Sequence, residues 1–116
     1  MKRTSKLFVI DIKNSLDKIK KYVNNKNFKK FSADEKTIDA VIRNLEIIGE
    51  ASKNVSEELK RKYSTIPWKE INGLRNRITH EYFGLDYEII WEIVKTDLPK
   101  LEKSIKEIIN REFREK

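Results

Sequence analysis

The chain has 116 residues, 39% of them charged against roughly 25% in ordinary domains, 38% apolar, and carries a net charge of +7 with no cysteine. That length suits one domain spanning 1–116 with its own core. The composition rules out disulfides and thiolate metal sites, and no apolar run nears the ~20 residues of a membrane span. Leu7-Phe8-Val9-Ile10 is cut off by Asp11, too short for a signal peptide, so a soluble, cytoplasmic protein is expected.

Phe8, Ile12, Leu16, Ile19 and Val23 recur at helical spacing and predict a first amphipathic helix ending near Asn24-Asn25. Residues 1–32 hold ten Lys/Arg against two Asp/Glu, so nearly all of the positive excess sits in this first element. Such a face can attract a polyanion, nucleic acid above all, or be a solvated lysine-rich surface; charge alone leaves both open.

Lys26 to Phe31 is expected as a basic loop, and Ser32 with Glu35 as a capping box opening a second helix. Ile38, Val41, Leu45 and Ile48 stripe that helix, and Gly49 within it points to close approach by a neighbour, since glycine there costs about 1 kcal/mol relative to alanine. Ser56 to Lys62 is predicted as a short helical turn and Tyr63 to Ile66 as a connection.

Pro67 suits the first turn of a third helix, with Trp68, Ile71, Leu74 and Ile78 on its inner face and Gly84 as its stop. Asp86 should cap a fourth helix bearing Ile89, Ile90, Ile93 and Val94. Asp97-Leu98-Pro99 kinks or restarts it, and Leu101, Ile105, Ile108 and Phe113 carry a last helix. Trp68 and Trp91 read as core rather than base-stacking platforms. No strand alternation or internal repeat is evident, so the expected architecture is an all-α bundle of four or five helices.

Residues 75–82, Arg-Asn-Arg-Ile-Thr-His-Glu-Tyr, contain the only histidine of the chain. A histidine with an ordinary pKa of about 6.5 can act as general acid or base. An arginine can stabilise the charge that builds up on a phosphate during displacement. Together these parts are consistent with metal-independent RNA cleavage in which the ribose 2′-hydroxyl attacks; no ligand spacing suggests a metal, and no cofactor is expected.

Projected on a regular helix at about 100° per residue from Trp68, the apolar stripe centres near ~290° and His80 falls near ~120°, almost opposite. Asn76 falls on the same side as His80, one turn earlier. Arg75 and Tyr82 fall at the edge of the buried stripe, so Arg75 and His80 lie about 140° apart on a regular helix. They converge on one phosphate only if the helix loosens before His80 or if a dimer joins two copies. A nearby helix C-terminus would favour the cationic histidine.

Arg75, Asn76, His80 and Tyr82 match residue by residue the Arg-x4-6-His signature, with its following tyrosine, of HEPN-domain proteins, and the chain resembles in particular their HepT-type toxins. The flanking blocks agree: Trp68-x2-Ile71-x-Gly73-Leu74 before the motif, and Phe83-Gly84-x-Asp86, Trp91 and Asp97-Leu98-Pro99 after it. Upstream, Arg43-x-Leu45-Glu46-Ile47-Ile48-Gly49-Glu50-Ala51 looks like the family's second helix, so the resemblance runs over about residues 5–110.

The resemblance implies a HEPN-like antiparallel helical bundle that forms a homodimer with an RNA cleft built by both protomers. It implies Arg75 and His80 as catalytic residues of an endoribonuclease toxin. It also implies a partner, a minimal nucleotidyltransferase antitoxin of the MntA type, that adenylylates Tyr82 and so closes the cleft. Asn76 would support the site. Glu46 and Glu50, one turn apart on a shared face, could orient Arg75 or Arg43 or be ordinary solvated acids. The competing reading is a non-catalytic HEPN module that binds a nucleotidyltransferase or nucleic acid.

Overall fold

The computed structural model describes residues 4–80 and 84–114, and at 79, 80, 84 and 85 the backbone alone. Helix α1 (Ser5–Val23) ends where expected, with Asn25 turning the chain at φ 63°, a left-handed conformation that asparagine tolerates. Val9, Ile12, Leu16, Ile19 and Val23 are its buried face.

The expected basic loop at 26–31 is instead a short helix, α2 (Phe28–Ser32). Asn27 caps it, its side-chain oxygen accepting from the Lys30 N–H at 2.9 Å. Phe31 is wholly buried and stacks on Trp91 at 4.9 Å between ring centroids, while Phe28 lies 6.5 Å from the same ring. Two aromatics three residues apart anchor this turn, a signal masked by the lysines around them.

Helix α3 (Glu35–Lys53) is capped by Asp34, whose carboxylate accepts from both the Thr37 N–H and the Thr37 hydroxyl. The Ser32–Glu35 capping box is therefore not formed: Ser32 closes α2 and donates to the Lys29 carbonyl. These contacts hold the Asp34 carboxyl below its ordinary pKa, the Thr37 hydroxyl first, then the Thr37 N–H and Lys26.

Ser56 caps α4 (Glu57–Lys62), and its own N–H bonds Ser5 Oγ at the start of α1. Tyr63 follows as a buried post. Its carbonyl accepts from the Trp68 indole N–H, and its hydroxyl donates to Glu112 at 2.8 Å. Trp68 is thus a core residue with a satisfied polar edge.

Pro67 is the N-cap of α5 (Trp68–Asn72) rather than a residue of its first turn, and α6 (Leu74–Ile78) follows after Gly73. The helix does not run on to Gly84. Beyond Ile78 the chain becomes extended as β1 (Thr79–His80), paired antiparallel with β2 (Gly84–Leu85) in the register His80↔Gly84 and Thr79↔Leu85. Ile78 is buried, and its carbonyl accepts from the Asp86 N–H at 3.0 Å.

Asp86 caps α7 (Tyr87–Glu92) as expected, accepting from the Ile89 N–H. The break foreseen around Asp97-Leu98-Pro99 takes the form of a π-helical turn over Ile93–Asp97, which passes into α8 (Leu98–Glu112) with Pro99 in its first turn. One extra residue in the turn lets proline enter where its missing N–H costs no helical bond. A single apolar cluster joins α1, α3 and α8 with α5, α6 and α7 around it. None of the described helices is long and apolar enough to cross a membrane.

Candidate nucleic-acid site along helix α3

The site begins at Gly49. A β-carbon there would sit 3.2 Å from the Ile71 carbonyl oxygen, so a bare backbone lets α5 lie against α3. One turn on, the buried Ser52 hydroxyl meets Asn72 Oδ1 at 2.5 Å. These two adjacent contacts fix α5, and α6 leaves from it with Arg75 beside the α3 surface.

A groove of about 330 Å3 results, lined by Arg43, Glu46, Ile47, Glu50 and Lys53 of α3 and by Asn72 and Arg75. Of the residues singled out in the sequence, the fold therefore brings Arg75, Glu46 and Glu50 together. The α3 contributors follow one helical face, a spacing that sequence reading, which had already named Arg43, could have used to add Lys53. Lys53 pairs with Glu50 at 3.8 Å. Asn76 is exposed on α6 and is not among the groove-lining residues.

The helical projection of His80 does not survive. His80 belongs to the extended segment after α6, not to the helix, so the ~140° separation from Arg75 on a regular helix no longer applies. This is the loosening that convergence required, although the side chain of His80 and the whole of Tyr82 lie outside the described residues. Three features hold the base of the segment: the buried Ile78, the Ile78–Asp86 backbone bond, and Arg77, whose guanidinium meets Asp97 of the π turn at 2.8 Å.

The basic N-terminal face is less uniform than its charge count suggests. Lys13 pairs with Asp17, Lys20 with Glu102 and Lys26 with Asp34. Lys18, Lys21, Lys29 and Lys30 are exposed, with no acidic partner within 4 Å among the described residues. Trp91 is half-buried, with Phe31 against it and Lys95 5.2 Å from its ring centre, so it serves packing first. Among the described residues no group of three His, Asp or Glu side chains could hold a metal ion.

The helical architecture is consistent with the HEPN class of small helical proteins. The sequence profile of the family described as Ribonuclease HepT-like matches residues 12–108, and the chain belongs to that family. Over 86 residues it is 49% identical to a candidate RNase of Caldanaerobacter subterraneus subsp. tengcongensis, covering 74% of this chain and 77% of the relative. A candidate RNase of Methanocaldococcus jannaschii is 44% identical over 108 residues, 93% of this chain and 89% of its own length. A candidate ribonuclease HepT of Thermococcus cleftensis is 43% identical over 102 residues, 88% of this chain and 93% of its own. No solved structure matches the chain significantly.

Proposed function

We propose that the chain is a metal-independent endoribonuclease, the toxin of a toxin–antitoxin pair, with Arg75 and His80 as its catalytic residues. The observation that carries this reading is the setting of Arg75: it lines an acid- and arginine-bearing groove, and the helix ends three residues after it, ahead of the chain's only histidine. In the reaction the ribose 2′-hydroxyl attacks the phosphorus as a base removes its proton. The 5′-oxygen leaves with a proton from an acid, giving a cyclic phosphate and a free hydroxyl. Arg75 holds the phosphate oxygens as charge builds on them, and His80 moves protons at the oxygen that attacks or leaves. Glu46 and Glu50 orient Arg75, and Asn76 hydrogen-bonds at the rim.

The cleft is completed by a second protomer. Ile47, half-buried in the groove and outside the core cluster, supplies apolar surface for that contact. Tyr82, two residues beyond His80, is the site at which a minimal nucleotidyltransferase antitoxin of the MntA type transfers AMP, adding bulk and negative charge where RNA phosphate must enter.

The decisive experiment is incubation of the purified protein with RNA in excess EDTA. Cleavage is expected, and His80→Ala should lower it at least ~100-fold, the scale of general acid–base catalysis, with unchanged circular dichroism. Equal cleavage by the variant would remove His80 from the mechanism. A wild type that leaves RNA intact yet still binds a nucleotidyltransferase would make the chain a non-catalytic module.

A further inference from the structure

We propose that Arg43 is a second phosphate-holding residue, receiving a phosphate that neighbours the one at Arg75 in a single strand of RNA laid along the α3–α6 groove. The identity of the strand rests on the ribonuclease reading above; the role of Arg43 rests on the groove itself.

Arg43 is exposed and lines the same groove as Arg75. On α3 it has an acid one turn away in either direction, Asp39 and Glu46, at spacings that favour intrahelical ion pairs. Among the described residues it pairs within 4 Å with neither, nor with any other acid, whereas Lys53 in the same groove is engaged by Glu50. A guanidinium that leaves both helical partners unused presents its full fork of donors to the groove, the geometry that grips phosphate bidentately.

Spacing along the groove agrees. Arg75 shares the groove with Gly49, and Arg43 lies six residues before Gly49 on α3, about 9 Å along the helix axis. Two long guanidinium side chains leaning toward each other across that span can hold neighbouring phosphates of an extended strand. Glu46, between Arg43 and Gly49 on α3, lines the same groove and repels a phosphate placed beside it, so the strand would set its sugar, with the 2′-hydroxyl as donor, over the carboxylate. The groove, of about 330 Å3, is at the low end of ligand-sized sites, roughly 300–1,000 Å3.

The experiment compares the full-length wild type, Arg43→Ala and Arg43→Lys on a fluorescent single-stranded RNA. Cleavage kinetics are measured alongside equilibrium binding over a salt series, with His80→Ala as the background that prevents cleavage during binding. Arg43→Ala should raise KM about tenfold, the size of one charge-assisted contact, and change kcat far less. Its log–log salt slope for binding should fall by about 0.7, one phosphate contact fewer on a single strand. Arg43→Lys should restore the slope but not the whole of KM, because it keeps the charge and loses the fork.

Unchanged KM and slope in Arg43→Ala overturn the proposal and leave the ribonuclease reading intact, as does a fall in kcat at constant KM. If no protein cleaves RNA, the ribonuclease reading fails and the binding series alone decides Arg43. If the wild type neither cleaves nor binds, both are overturned. Because Arg43 is exposed, equal thermal melting of the three proteins is expected and guards against a folding artefact.

Discussion

At Gly49 and Gly73 the same substitution should have opposite effects. A β-carbon at Gly49 would press on the Ile71 carbonyl at 3.2 Å, a backbone atom that moves only if α5 moves. Alanine gains about 1 kcal/mol of helix propensity there, but overpacking costs about 1–3 kcal/mol, so Gly49→Ala should lose up to about 2 kcal/mol. At Gly73 the nearest atom would be 3.5 Å away, an ordinary contact, and the backbone at φ −93° suits any residue. Gly73→Ala should therefore gain about 0.4–1 kcal/mol by restricting the unfolded chain. Urea denaturation of both variants checks the signs. Cleavage should suffer more than stability in Gly49→Ala, because a displaced α5 carries Arg75 with it.

Among the elements, the junction of α4 with the end of α8 joins two groups whose pKa values move in opposite directions. Lys62 first, then the Tyr63 hydroxyl, hold the Glu112 carboxyl below its ordinary range. Burial first, then the hydrogen bond to Glu112, raise the Tyr63 phenol above its ordinary 10.0. A depressed carboxyl stabilises the fold above its unfolded pKa of about 4.3, and that stability is lost as pH falls through the lower folded value. A raised phenol stabilises below about pH 10, and that stability is lost as pH rises through the higher folded value. The melting temperature should hold from about pH 5 to 9 and drop on both sides. Tyr63→Phe should flatten the alkaline drop; an unchanged alkaline limb would assign it to other groups.

For the whole molecule, the charge on α1 and α2 lies outside the lining of the groove. Lys18, Lys21, Lys29 and Lys30, exposed lysines there without acidic partners within 4 Å among the described residues, are suited to steering a polyanion rather than to chemistry. Reversing all four to glutamate should lower kcat/KM for RNA about tenfold or more at low salt and leave kcat alone. The deficit should shrink as salt shortens the Debye length toward about 3 Å at 1 M. A deficit that persists at high salt would mean that these lysines touch the substrate.

What the sequence determined by itself was whatever is written in local periodicity and caps. The stripes of α1, α3 and α8, the short helix after Ser56, the cap at Asp86, the close approach at Gly49 and the family all follow from residues near one another in the chain, where side chains repeat every turn or bond their own backbone. Glu46, Glu50 and Arg75 could be named from motif and spacing, but not their shared groove, which forms only once Gly49 and Ser52 receive α5. The tertiary structure also decided where α6 stops. Residues 67–84 have the period of one helix, yet the buried Ile78 gives its carbonyl to Asp86, eight residues on, and the chain turns into a ladder. Hydrogen bonds between segments that distant leave no mark on local hydrophobic pattern, and for that reason the helical projection could place Arg75 on its helix but not His80 beyond it.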